Sequence, residues 1–268
     1  KSFVGNYLKC WKNMKNKKNN KKMIALGSKT AKSGFKNEKD IAKKFEKWKT
    51  DLDAQEWLVI MGYKINDIEK VEAVILSGYK TDVQVKITIY LKQAISAENL
   101  SIKLVSNPTG FNQVDKRWVD KYVEMWKIPE DVARLLKVFT GEIKPPSGLK
   151  LKDKRRMFLS EMDKVSQDKI VEFFSKNKIL VVSDILKGRD LLSAEWMMVA
   201  LNIGGKTSWV LKSINYAMNI FGGGEVKITK QGSLKVGKIG MQRKGGDNGR
   251  PSANMLQFKI NPVELFDK

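Results

Sequence analysis

VEAVILSGYKTDVQVKITIYLKQAISAENLSIKLV, residues 71–105, contains three runs rich in β-branched residues, at 71–77, 83–91 and 100–105. Such runs are typical of β-strands, because branched side chains suit a pleated and half-buried surface. Three strands that follow one another this closely predict the start of one sheet.

Helices are predicted on both sides of these strands. Apolar residues recur near helical spacing between residues 28 and 50, and a second apolar stretch follows at Trp57 to Met61. Further along, the patterns predict helices near 115–127, 129–139, 164–176 and 213–221, and strands near 195–203, 207–212, 225–229, 233–241 and 254–260. This order predicts an α/β (α+β) fold with a central mixed β-sheet flanked by helices.

The charge of the chain points to a polyanionic partner. Lys and Arg total 51 against 29 Asp and Glu, which gives a formal net charge of +22 and a pI near 9.8. Nucleic acid is the leading candidate for such a partner. A membrane would also attract this charge, but the sequence has no apolar run of about 18 residues, so we expect no membrane association.

The residues that are missing narrow the chemistry. The chain has no histidine and a single cysteine, Cys10, so histidine-based catalysis, zinc sites and disulfide frameworks are excluded. A reducing, cytoplasmic setting fits this composition. Phosphodiester hydrolysis would then need oxygen ligands that hold Mg²⁺, with lysine supplying positive charge.

One group of residues could carry that chemistry. Asp82 is predicted at the start of one strand, while Ser101 and Lys103 lie two apart on a later strand and therefore on one face. We expect Asp82, Ser101 and the Ile102 carbonyl to bind Mg²⁺, and Lys103 to stabilise the attacking water or the phosphate. Glu38, on the first helix, would direct a second carboxylate toward the metal.

The same residues have simpler interpretations. Asp82 could be a polar residue where a strand begins, and Glu38 could be a solvated helix charge. An acid followed by some x-Lys is common in a lysine-rich chain, and Gln84-Val85-Lys86 is such a decoy. It lies on the same predicted strand as Asp82. The site needs a lysine on the strand that faces Asp82, so this motif is not expected to supply it.

This layout resembles that of the PD-(D/E)xK nucleases, and longer segments resemble the HinPI-type restriction endonucleases, which are related to the MspI group. The resemblance extends from about Met23 to the end of the chain. The segments are LGSKTAKSGFKNEKDIA from Leu26, LSGYKTD from Leu76, KLVSNPTGFNQVDK from Lys103, KDKRRMF from Lys152, and QRKGGDNGRPSANMLQFKINPVELFD from Gln242.

The resemblance implies a type II restriction endonuclease that cleaves double-stranded DNA with Mg²⁺ at a short palindrome, which in that family is GCGC. It also implies a cognate DNA methyltransferase as a functional partner in the cell. Where the resemblance leads us to expect an acid or glutamine, this chain has Ser101, a shorter and neutral ligand.

The chain is expected to form a single nuclease domain over residues 23–268, preceded by a basic and disordered extension at 1–22. A break at Lys144-Pro145-Pro146-Ser147-Gly148 predicts a hinge between a catalytic part, about 23–144, and a DNA-recognition part, about 150–268.

Three segments are candidates for DNA contact. The glycine-rich loop at 242–250 carries donors and an acceptor suited to base edges, and a basic cluster at 150–156 is suited to phosphates. A third set lies near the predicted helix at 115–127. The candidate residues are Gln242, Arg243, Lys244, Asp247, Asn248, Arg250, Lys154, Arg155, Arg156, Asn112, Gln113 and Lys116. The loop and the basic cluster could each instead be an ordinary solvated surface.

Two other functions remain open at this stage. A non-catalytic, sequence-specific DNA-binding protein with a degenerate nuclease site is the first, supported by Ser101. A basic RNA-binding or ribosome-associated protein is the second; it explains the charge but not the matched segments.

Overall fold

A computed structural model describes residues 36–76, 85–246 and 250–266 of the 268-residue chain. Three candidate site residues, Asp82, Asp247 and Asn248, lie outside the described residues, as does the predicted extension at 1–22. None of the helices in the described ranges is long and apolar enough to cross a membrane.

The described residues form ten strands and seven helices, together with short 3-10 turns. The strands are β1 (Ile68–Ile75), β2 (Val85–Leu91), β3 (Ile95–Val105), β4 (Asn112–Arg117), β5 (Trp196–Ile203), β6 (Lys206–Ser213), β7 (Val226–Ile228), β8 (Leu234–Val236), β9 (Ile239–Arg243) and β10 (Leu256–Ile260). The helices are α1 (36–46), α2 (Leu52–Ile60), α3 (Val119–Trp126), α4 (Glu130–Thr140), α5 (Lys164–Lys176), α6 (Lys178–Leu186) and α7 (Ile214–Gly222).

The strands form two five-stranded sheets. The first has the order β1-β2-β3-β5-β6, and its β3–β5 pair is parallel while its other pairs are antiparallel. The second has the order β4-β10-β9-β8-β7 and is antiparallel throughout. The mixed sheet flanked by helices is therefore confirmed, and the second sheet is an addition to the expected architecture.

Strand β5 contributes side chains to two hydrophobic cores, one on each face of the first sheet. Met198 packs with α1 and α2 in one core, while Met197 and Val199 belong to a larger core that also contains Tyr122 and Phe258. Successive side chains of a strand point to opposite faces, so the first sheet is covered on both sides. The larger core extends to the second sheet and to helices α3–α7, which joins the two sheets into one body.

Three local predictions were wrong. Residues 112–117 form β4, and the helix predicted from 115 begins only at Val119. The run at 233–241 is two strands, because a turn at Gly237 separates them; Gly237 has φ +62°, and an added Cβ would lie 2.7 Å from two carbonyl oxygens. Helix α6 was not predicted, because its run of apolar and β-branched residues has little helical periodicity.

The predicted hinge lies in a segment without helix or strand between α4 and α5. The sheets do not divide there, however. Strand β4, before the hinge, joins the second sheet, whereas β5 and β6, after it, join the first. The chain thus passes from one sheet to the other on both sides of the hinge. The division into a catalytic and a recognition part stays a prediction about function.

Candidate functional site

Strand β3 brings Ser101 and Lys103 to one face of the first sheet. Ser101 pairs with Met197 and Lys103 pairs with Val199 on the parallel strand β5. Both side chains are buried, with 1% and 6% of their surface exposed. Because an ammonium group is costly to bury, a lysine at this position requires a compensating interaction or a function.

Glu38 on α1 interacts with this lysine. The carboxyl is half-buried, and burial raises its pKa, while the positive charge of Lys103 acts in the opposite direction. The structure therefore brings Glu38 and Lys103 within electrostatic reach of each other, although they are far apart in the sequence. Glu38 is thus not fully solvated, and its role as a metal ligand stays a prediction.

The oxygen atoms present suit a hard divalent cation such as Mg²⁺. Ser101 Oγ is buried and has no hydrogen-bond partner among the described residues, as expected of an oxygen that is free to bind a ligand. The described ranges contain no cluster of three His, Cys, Asp or Glu side chains. Glu38 and Ser101 would therefore need a further carboxylate, and Asp82 is the only acid between Glu72 and Glu98 in the sequence.

The decoy lysine lies on the strand next to this site. Lys86 lies on β2, where it pairs with Val74 on one side and Asn99 on the other. Asn99 is two residues from Ser101 and four from Lys103 along β3, so Lys86 shares the face of these residues, but it is only half-buried. The pairing of β2 and β3 over the described residues ends at Val85 and Leu100, immediately before Ser101.

The glycine-rich loop follows the end of β9. Its first residues are held by backbone hydrogen bonds, from Lys244 N to the Met255 carbonyl at 2.8 Å and from Gly245 N to the Ala253 carbonyl at 2.9 Å. Gly245 and Gly246 have φ of +66° and +64°, which favours glycine. Gln242 and Lys244 are half-buried and Arg250 is exposed. These described residues of the loop are thus presented by an ordered strand end.

The basic cluster after the hinge lies beside this loop. Lys154 and Arg155 are exposed, whereas Arg156 is half-buried. The positive charge of Arg243 acts on Arg156, and that of Arg155 acts on Arg243. Two segments that were separate candidates in the sequence therefore lie close together in the fold.

The third candidate set lies on β4 and not at the start of a helix. Asn112 donates a hydrogen bond from Nδ2 to the carbonyl of Leu104 at 2.9 Å, which connects β4 to the strand that carries Lys103. Gln113 and Lys116 are exposed. Tyr122, on the helix α3 that follows β4, is fully buried in the core.

Two residues of this region were missed in the sequence, Asn254 and Phe158. Asn254 accepts hydrogen bonds from Arg243, and the ring of Phe158 lies against the guanidinium of Arg156 at 4.1 Å. Neither residue type signals such a role, and both contacts depend on the tertiary fold.

Comparisons with known proteins agree on the kind of protein that this chain resembles. The family model described as R.HinP1I restriction endonuclease matches residues 61–266. A crystal structure of restriction endonuclease MspI in complex with its cognate DNA is similar, with a TM-score of 0.56 and 12% identity over 83% of each chain. At that identity the similarity shows the fold alone. No curated protein matches the chain.

Proposed function

Because this chain belongs to the R.HinP1I restriction endonuclease family, we propose that it cleaves double-stranded DNA with Mg²⁺ at a short palindrome, with GCGC as the candidate sequence. The observation that carries the proposal is the buried Lys103 beside Ser101 on β3, in electrostatic reach of Glu38. The MspI structure contains its cognate DNA, which supports duplex DNA as the substrate.

Each site residue has a proposed role. Asp82, Glu38, Ser101 Oγ and the Ile102 carbonyl would hold Mg²⁺, which would polarise the scissile phosphate and favour ionisation of water. Lys103 would hold its ammonium beside the phosphate, where charge increases as the bond breaks. In a buried site this electrostatic effect is stronger than in water, because fewer solvent dipoles screen it.

Recognition and cleavage would use different parts of the surface. Gln242, Lys244, Arg250 and the loop residues Asp247 and Asn248 are proposed to contact base edges. Lys154, Gln113 and Lys116 are exposed and suited to phosphates, while Asn112 would align β4 with the catalytic strand. In the cell, we propose a cytoplasmic enzyme with a methyltransferase that protects the same sequence.

The direct test incubates the protein with unmodified plasmid DNA in Mg²⁺, in EDTA, and in Mg²⁺ with DNA methylated within GCGC. We expect discrete fragments in the first reaction and intact plasmid in the other two. Fragments from the methylated DNA would contradict the GCGC assignment, and fragments in EDTA would contradict the metal requirement. Gel retardation without cutting in Mg²⁺ would favour a non-catalytic DNA-binding protein.

Removing the Arg250 side chain is expected to weaken recognition. Arg250 is exposed, and its backbone carbonyl accepts a hydrogen bond from Ala253 N at 2.9 Å, which does not involve its side chain. A bidentate arginine contact with guanine contributes about 1–3 kcal/mol of discrimination, so Arg250→Ala should lower cleavage of the cognate duplex by about tenfold or more.

Cleavage rates on duplexes with single base-pair substitutions measure this effect. Discrimination at one G·C pair should relax in Arg250→Ala but not in the control Arg134→Ala, which removes another exposed arginine, on α4. Wild-type rate and discrimination in Arg250→Ala would exclude Arg250 from base recognition.

A further inference from the structure

Three guanidinium groups meet between the loop after α4 and the end of β9. Arg155 forms two hydrogen bonds with Asp153, at 2.9 and 3.0 Å, and Arg156 Nε lies 3.6 Å from the same carboxylate. Arg243 donates from Nε and Nη2 to Asn254 Oδ1, at 3.2 and 2.7 Å. We call Arg155, Arg156 and Arg243 the arginine cluster.

The arginine cluster carries more positive charge than its surroundings offset. Asp153 is its carboxylate partner, while the nearby Glu161 accepts from the backbone amides of Lys152 and Phe158, at 2.8 Å each. Burial first, and then the charge of Arg243, lower the pKa of Arg156. Arginine nevertheless stays protonated in proteins, so the repulsion persists until an anion approaches.

Neighbouring residues hold Arg156 and Arg243 of the arginine cluster in place. The guanidinium of Arg156 lies over the Phe158 ring at 4.1 Å, and its Nε is buried without a hydrogen bond to the described residues. Asn254 donates from Nδ2 to the Gly141 carbonyl at 2.9 Å. Gly141 has φ +85°, and an added Cβ would lie 2.7 Å from the Arg155 carbonyl, so the two segments approach closely.

We infer that Arg155, Arg156 and Arg243 together bind one phosphate of the DNA backbone, and that Asn254 is the positioning residue for Arg243. This inference rests on the proposed function, because the phosphate would adjoin the bases that the loop after β9 contacts. Asn254 already engages two N–H groups of Arg243, which leaves fewer donors for a bidentate contact with guanine. A phosphate accepts hydrogen bonds from several guanidinium groups at once.

Arg155→Gln is the first test, because the side chain of Arg155 is 73% exposed and its loss should not impair folding. Binding would be measured in EDTA, on cognate duplex and on a duplex lacking the cognate sequence, over a series of salt concentrations. We expect affinity to fall about 3- to 10-fold on both duplexes, and the slope of log affinity against log salt to decrease by about 1. Lys176→Gln, which removes an exposed charge at the far end of α5, is the control.

The position of the phosphate is found by placing one neutral methylphosphonate linkage at each backbone position in turn. One position should weaken binding by the wild-type protein and have little effect on Arg155→Gln or Arg243→Gln. Asn254→Ala should reproduce part of the loss seen with Arg243→Gln and add nothing in the Arg243→Gln background. A merely structural role of Asn254 would instead give additive losses.

Several results would overturn the inference. The first is an unchanged salt slope in Arg155→Gln and Arg243→Gln. The second is equal sensitivity of the wild type and these variants to the methylphosphonate linkages. The third is altered discrimination between the two duplexes without a general loss of affinity. The last result would mark a base contact. Binding is measured without metal and without cleavage. If the protein binds DNA through the arginine cluster but never cuts it, the proposed function is contradicted and this inference is not. Absence of any DNA binding by the wild-type protein would contradict the arginine cluster's role as well.

Discussion

Asp82→Ala is expected to reduce DNA cleavage by at least about a thousandfold while leaving DNA binding intact. A divalent cation contributes several kcal/mol to stabilising charge on a reacting phosphate, and about 4 kcal/mol corresponds to that factor in rate. Among the described residues, Glu38 is the carboxylate that interacts with Lys103, and Ser101 is a neutral and weaker ligand. The metal would therefore depend strongly on Asp82.

The measurement pairs single-turnover cleavage in Mg²⁺ with equilibrium binding in EDTA. Glu72→Gln is the matched control. Glu72 is an acid on β1, the strand next to β2, where it forms an ion pair with Lys70 and accepts a hydrogen bond from Tyr90. It should cut at nearly the wild-type rate. Substantial cleavage by Asp82→Ala would remove Asp82 from the site and require another carboxylate beside Ser101.

The sequence predicted strand β3 well because its signals are local. The β-branched run at 100–105 is part of β3, and residues two apart on a strand must share a face, so the placement of Ser101 and Lys103 followed directly. The burial of both side chains could not be predicted in this way. It depends on the parallel partner β5, which is almost a hundred residues away in the sequence.

The pairing of the second sheet was less predictable than its strands. Strands were predicted near β7 to β10, but β4 was missed, and β10 pairs with β4 across more than half of the chain. The arginine cluster could not be predicted for the same reason. Arg155, Arg156 and Arg243 were each candidates for DNA contact, but only the fold brings them together and adds Asn254.

The electrostatics of the proposed active site lead to the remaining prediction. Lys103→Met keeps much of the length and packing of the side chain at a site that is 6% exposed, but removes its charge. Loss of one preorganised group that stabilises transition-state charge typically costs a factor of about 10²–10³ in rate. We therefore expect single-turnover cleavage by Lys103→Met to fall by that factor, with a thermal midpoint close to that of the wild type, because the buried charge itself is costly.

Lys86→Met is the matched control for Lys103→Met, since Lys86 belongs to the decoy motif and lies on the adjacent strand, opposite Asn99. It should retain cleavage within a few-fold of the wild type.

The substitution at Lys103 should also raise the pKa of Glu38 further, because the positive charge that now lowers it is gone. Titration of Glu38 by NMR in both variants measures this shift directly. A strong loss of cleavage in Lys86→Met, or an unchanged Glu38 pKa in Lys103→Met, would contradict the pairing of Glu38 with Lys103 on which the proposed active site depends.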